Sequence, residues 1–229
     1  TDGTLLPDHV SEETYAAVKQ FSEDYLGGWN DLYDYNNTGA WISTIAQVQI
    51  TNVGGFDFAA GIDTYFINRA SEDGKDVISI EDISAQTGAI NAYSDELADY
   101  VIPENIDSIN DGADEIAEML AELFTAWAQG DPEVFSDMNS EEELSDIPEE
   151  MKADYEDYMD KMLVSRNEVM AQRASEFIQN GDNYFFMVGL AHYAGESGVT
   201  ALLEDMGYTV ERVDKADNAD TASDLPEAA

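Results

Sequence analysis

Charge constrains this sequence more than any other feature, because 50 Asp and Glu residues stand against 9 Lys and Arg and give a formal net charge of −41. Chains with a large net charge collapse only if they can bury enough apolar surface. Hydrophobic residues make up 44% of this chain and aromatic residues 10%, which is enough for a core. The sequence therefore predicts a folded domain with an acidic, solvated surface.

The same composition excludes several classes of function. An acidic surface without a basic patch repels phosphate, so we expect neither a nucleic-acid partner nor binding to an anionic membrane face. No apolar run approaches the roughly 20 residues that span a bilayer, so we expect no transmembrane segment. The absence of cysteine excludes disulfide bonds, thiolate metal ligands and cysteine nucleophiles. The oligomeric state stays open.

Acidity of this degree is typical of two settings. Secreted or surface-anchored bacterial proteins can be strongly acidic, and proteins that stay soluble in very high salt carry dense carboxylates with little lysine. We therefore expect an extracellular or cell-surface location in a bacterium, with the cytoplasm of a halophile as the alternative.

Helical periodicity dominates the chain. Apolar residues recur at helical spacing between Gly, Pro and polar breaks, and they predict helices over residues 11–26, 41–53, 56–70, 84–101, 106–127, 133–138, 149–163, 165–179 and 199–206. Short apolar runs typical of β-strands occupy residues 76–80, 184–188 and 208–213.

Strands separated by helices predict a helix-rich α/β fold, in which helices cover a small parallel or mixed sheet. Three strands are few for a chain of 229 residues, so we expect the sheet to draw on strands upstream of Thr1. Residues 1–213 form the predicted domain. Residues 214–229 are polar and lack periodicity, which predicts a disordered acidic tail.

His192 is one of only two histidines in the chain, and it closely follows the predicted strand at residues 184–188. Ligands of open α/β sheets bind at the carboxyl ends of the strands. This placement makes His192 a candidate ligand or base, although its spacing alone favours a structural histidine over a ligand. The other histidine, His9, has the context of an ordinary surface residue.

Glu81 has the same relation to the predicted strand at residues 76–80. If the two strands are parallel, its carboxylate and the His192 imidazole lie at one edge, where they could share a metal or form an acid–base pair. Glu81 could equally cap the helix that follows. Arg166, one of four arginines, could bind a carboxylate near this site, although a surface ion pair is the default interpretation.

Three blocks of sequence resemble the TraB/GumN family, the pheromone-shutdown and Tiki-like group. Residues 61–81 contain a Gly-x-Asp helix, a Gly-Lys turn, a strand and the terminal Glu81. Residues 165–167 read Ser-Arg-Asn. Residues 185–210 begin with Phe-Phe-Met-Val-Gly-Leu-Ala-His and continue into a helix and a strand. The intervals between the blocks also fit, so the resemblance covers most of the predicted domain.

The resemblance implies a metal-dependent hydrolase that acts on a peptide or small-molecule ligand, with a peptidase as the narrower expectation. Tiki-like members draw their metal site from two Gly-x-x-His motifs, and this chain contains only the second, which ends in His192. The resemblance makes His192 a ligand of a divalent metal of unknown identity, Glu81 a ligand or general base, and Arg166 an anchor for a carboxylate or oxyanion. The alternative is a non-catalytic extracellular protein that sequesters a peptide or pheromone in the same crevice.

Overall fold

A computed structural model describes residues 3–130 and 147–213. The α-helices in these two ranges are α1 (Glu12–Tyr25), α2 (Thr38–Val48), α3 (Ile62–Glu72), α4 (Ile83–Ile90), α5 (Asp95–Asp111), α6 (Ala113–Gln129), α7 (Lys152–Met159), α8 (Ser165–Asn180) and α9 (Val199–Asp205). Single π-helical turns follow α2 at Gln49–Val53 and α7 at Asp160–Val164. The predicted helix at 133–138 and the predicted tail at 214–229 lie outside the described residues, so both stay predictions.

The predicted sheet is wrong, because residues 3–130 and 147–213 contain no β-strand. The three segments with strand-like sequences, residues 76–80, 184–188 and 208–213, follow irregular paths and pair with no strand in the described residues. A strand exists only when another strand supplies its backbone partners, however favourable its own side chains are. Much of their apolar surface remains exposed, as at Val77 (60%) and Phe185 (72%).

The main hydrophobic core lies between α1, α2 and α5. The Ser11 hydroxyl caps α1 by accepting a hydrogen bond from the Thr14 amide at 3.2 Å. The buried residues of this core are Leu6, Val18, Phe21, Trp41, Ile42, Ile45, Val48, Ala98, Ile102, Ile106 and Ile109. Their recurrence at three- and four-residue intervals within each helix is the pattern typical of a helix with one buried face.

The predicted helix over residues 84–101 is wrong in its extent, because α4 ends at Ile90 and α5 runs through Pro103. Proline has no N–H, so it cannot donate to the carbonyl four residues earlier, which belongs to Asp99. The Thr14 hydroxyl of α1 donates to that carbonyl at 3.2 Å. A partner from another helix thus replaces the bond that Pro103 removes, and α5 continues to Asp111.

A second, smaller core joins α8 to α9. Its buried residues are Met170, Ala171 and Val199, against which Ile80, Phe186, Val188, Leu202 and Leu203 pack. The irregular segments around residues 76–81 and 184–189 are therefore held against α8 by their apolar side chains. This packing brings the chain on either side of Glu81 and His192 to the same helix.

Within the two described ranges, every helix is either too short or too polar to span a membrane.

Candidate functional site

Arg166 and Glu81 form a two-pronged ion pair. Arg166 Nε donates to Glu81 Oε1 at 3.0 Å, and Nη2 donates to Oε2 at 2.8 Å. The two side chains are only 15% and 18% exposed. Parallel hydrogen bonds between a planar guanidinium and a carboxylate are stronger and more directional than a single contact.

A backbone carbonyl one turn earlier in the chain also holds the Arg166 guanidinium in place. Its Nη1 donates to the carbonyl oxygen of Met162 at 2.9 Å, within the π-helical turn Asp160–Val164 that leads into α8. Such turns occur often at functional sites. Arginine has five N–H donors, so these three contacts leave one N–H on each terminal nitrogen for a ligand.

Asn167, the next residue of α8, holds His192. Its Nδ2 donates to the carbonyl oxygen of Ser197 at 2.9 Å, and its Oδ1 lies 2.6 Å from Nδ1 of His192. Because the Ser197 carbonyl can only accept, the amide must present its oxygen to the imidazole. Nδ1 therefore carries the hydrogen in the neutral ring, and Nε2 carries the free lone pair.

The surroundings keep this imidazole neutral. Burial lowers the pKa of His192 below its ordinary value of 6.5, and the positive charge of Arg166 lowers it further, while the negative charge of Glu81 acts in the opposite direction. His192 is 8% exposed. Its Nε2 has no hydrogen bond within the described residues, and it is not among their fully buried atoms without a partner.

The turn after His192 requires glycine at one position. A Cβ atom on Gly198 would lie 2.5 Å from the carbonyl oxygen of Tyr193 and 2.6 Å from that of Ala194, so no larger residue fits. The Thr200 hydroxyl donates to the same Tyr193 carbonyl at 3.0 Å. This tight turn, which ends at the start of α9, fixes the Ser197 carbonyl that orients Asn167.

The structure brings the three predicted site residues together beside helix α8, which contains Arg166, and not at the edge of a sheet. Glu81 contacts Arg166 directly. His192 has no hydrogen bond to either side chain, but both charges act on its imidazole. Glu81 is not a helix cap: Asp82 has that role, because its Oδ1 accepts from the Ser84 and Ala85 amides at 2.8 and 3.1 Å.

Sequence reasoning missed the role of Asn167. The available signal was its position in the Ser-Arg-Asn block, because a polar residue directly after Arg166 is itself a candidate for a contact near the site. Reasoning also missed Tyr93 and Tyr158, which stack with ring centroids 3.8 Å apart. Burial raises the pKa of both hydroxyls, while a hydrogen bond with Tyr93 and the positive charge of Arg166 oppose this at Tyr158. Both rings are therefore neutral near pH 7, and the charge of Arg166 acts on Tyr158.

The described residues do not by themselves fit a divalent metal. They contain no group of three or more His, Cys, Asp or Glu side chains that could hold one. At the site, Nε2 of His192 is one available donor, whereas both Glu81 oxygens already bind Arg166. Catalytic zinc sites usually have three protein ligands.

The helical domain thus carries a histidine held by an asparagine beside a largely buried arginine–glutamate pair. A sequence profile of the TraB/PrgY/gumN family matches residues 1–212. The chain belongs to this family, and the predicted resemblance is confirmed at that level. Searches of curated proteins and of solved structures gave no match.

Proposed function

We propose that this chain contributes the histidine and arginine of a hydrolase centre that acts on peptide-like bonds. The observation that carries the proposal is the Asn167–His192 hydrogen bond, which directs the lone pair of a neutral imidazole to Nε2. A base with its lone pair available near neutral pH can accept the proton of an attacking water. Burial and Arg166 support this state by lowering the pKa of His192.

Arg166 would bind negative charge in this reaction. Its two remaining N–H donors suit the carboxylate of a peptide or the oxyanion that develops when water attacks a carbonyl. Glu81 would position Arg166 and would not act as a base, because both of its oxygens accept hydrogen bonds from the guanidinium.

Dependence on a divalent metal is a separate proposal. The ion would bind Nε2 of His192 and would need its other ligands from outside residues 3–130 and 147–213, since the described residues offer no complete set. Metal content of the purified protein, measured by mass spectrometry with and without a chelator, tests it.

Peptide cleavage tests the hydrolase proposal. The purified chain is incubated with a mixture of peptides, and products are identified by mass spectrometry. Loss of the general base in His192→Gln should slow cleavage about 100-fold or more. His9→Gln is the matched control, because the chain has only two histidines, and it should cleave like the wild type. Equal rates for the two variants, or no cleavage by the wild type, would refute the proposal.

A non-catalytic binding protein is the second candidate. The observation that favours it is that both oxygens of the Glu81 carboxylate accept hydrogen bonds from Arg166, which makes this side chain a structural partner of the arginine. This candidate predicts saturable peptide binding without cleavage, unaffected by chelators. Affinity should fall in Arg166→Met and change little in Arg173→Met, which removes an arginine that pairs with Glu176 elsewhere on α8.

A further inference from the structure

Lys19 differs from the other lysines that the structure describes. Lys75 and Lys152 lie 3.8 and 2.7 Å from carboxylate oxygens, and Lys161 also pairs with a carboxylate. The Nζ atom of Lys19 instead lies 5.2 Å from the ring centroid of Trp29 and 5.3 Å from that of Tyr15. In a chain with 50 Asp and Glu residues, this ammonium group rests on aromatic faces.

Tyr15 and Trp29 form two walls of a corner, which we call the aromatic corner. Their ring centroids are 5.7 Å apart and their planes meet at 86°. Tyr33 stands across Trp29 at 77°, and the buried Trp41 stacks parallel to Trp29 at 5.9 Å. A cation within about 6 Å of aromatic faces is attracted by their negative electrostatic potential.

Nearby carboxylates hold the walls and do not pair with Lys19. The Tyr15 hydroxyl donates to Asp34 at 2.7 Å, and this bond is the main cause that raises the pKa of Tyr15 to about 12. Glu23, four residues after Lys19, would be the usual ion-pair partner on a helix. Its carboxylate accepts from the Trp29 amide at 3.1 Å. The aromatic corner therefore offers a cation ring faces and not a carboxylate, so it favours cations that bind more strongly to aromatic rings than to carboxylates.

We propose that the aromatic corner is a binding site for a small, soluble methylated ammonium cation, and that Lys19 fills it in the ligand-free protein. Methylated ammonium groups are bound by aromatic cages because they are weakly hydrated and favour ring faces. The net charge of −41 raises the local concentration of any cation and repels anions. Lys19 shows where the charged group of the ligand would sit.

Calorimetric titration with tetramethylammonium chloride tests the proposal, with sodium chloride at equal concentration as the reference. Lys19→Met keeps an apolar side chain on α1 and removes the internal competitor. If Lys19 fills the corner about nine-tenths of the time, its removal tightens the apparent affinity about tenfold. Lys75→Met, which removes an exposed lysine on the loop after α3, should bind like the wild type.

Two further arms make the result specific. In the Lys19→Met background, Tyr15→Leu removes one wall and should abolish binding while circular dichroism shows the same helix content. Absence of saturable binding by a folded Lys19→Met variant would overturn the proposal, as would equal affinities for Lys19→Met and Lys75→Met. Binding to phosphatidylcholine vesicles without binding to tetramethylammonium would also overturn it, because the ligand would then be a lipid surface.

Discussion

Replacing Asn167 by alanine should destabilise the protein by several times the cost of an exposed substitution. Asn167 is 1% exposed, and its amide bonds both the Ser197 carbonyl and Nδ1 of His192. The variant leaves two polar groups without partners, and each such buried group costs about 1–3 kcal/mol. Because water can enter the space left by the amide and pair with the carbonyl, we expect a loss of about 2–4 kcal/mol.

Urea unfolding followed by circular dichroism measures this loss, at fixed ionic strength because of the high net charge. Asn68→Ala is the matched control. Asn68 is exposed inside α3, so both variants gain the same helix propensity, up to about 0.7 kcal/mol, and only Asn167→Ala loses buried hydrogen bonds. Free energies of unfolding that differ by less than about 0.5 kcal/mol between the two variants would refute the reasoning.

The same variant has a second readout. In the wild type, the nitrogen chemical shifts of His192 should show hydrogen on Nδ1 and a lone pair on Nε2, because Asn167 presents its oxygen to Nδ1. In Asn167→Ala this preference should weaken. A ring that already carries its hydrogen on Nε2 in the wild type would contradict the assigned amide orientation.

Four other predictions concern charge. The pKa of His192 in the folded state lies below the ordinary 6.5, so the unfolded chain binds the proton first as pH falls. Below about pH 6.5 the wild type should therefore lose stability relative to His192→Gln, at up to about 1.4 kcal/mol per pH unit. Urea unfolding of both proteins at pH 5.5 and 7.5 measures this loss, and a difference in stability that is the same at both pH values contradicts it. Arg166→Met should raise the pKa of His192 and Glu81→Gln should lower it; an NMR titration checks both signs, and shifts in one common direction would be inconsistent with the described charges. A double-mutant cycle on Arg166 and Glu81 should give a coupling of about 2 kcal/mol, between the values for exposed and buried pairs, and a coupling below about 0.5 kcal/mol would mean that the pair adds little. Sodium chloride raised from about 0.1 to 1 M should increase the melting temperature, because it shortens the screening length from about 10 to about 3 Å; an unchanged or lower melting temperature would show that self-repulsion is unimportant.

Helices were predictable wherever their signals are local. The predicted spans 11–26 and 165–179 correspond to α1 and α8 within one residue at each end. Capping by Ser11 depends on a side chain and an amide three residues apart, so the sequence contains both partners. Periodicity of buried residues is likewise a property of one segment.

Predictions failed where the deciding partner lies far along the chain. Pro103 is typical of a helix end, but Thr14 supplies a donor from 85 residues away and α5 continues. The same holds for residues 76–80 and 184–188, whose side chains favour strands while their backbones have no paired neighbour in the described residues. The sequence of one segment shows neither the donor that rescues a helix nor the lack of a partner that prevents a strand.

Convergence of Glu81, Arg166 and His192 was predicted, but from a sheet edge that the described residues do not contain. The residues converge because Arg166 and Asn167, neighbours on α8, bind Glu81 and His192, and the adjacency of these two residues was the only sign of this in the sequence. The hydrogen bonds from this dipeptide span 85 residues to Glu81 and 25 residues to His192. No local pattern specifies such distances.

Helix α8 organises the site because consecutive residues on a helix point about 100° apart. Arg166 can therefore hold Glu81 while Asn167 holds His192, and the buried Met170 and Ala171 fix the helix that carries both. The polar contacts described for Glu81 and for His192 all run to α8 or to their own segments. Losing one hydrogen bond should release one segment and leave the other in place, so the segment around Glu81 depends on Arg166 and the segment around His192 depends on Asn167.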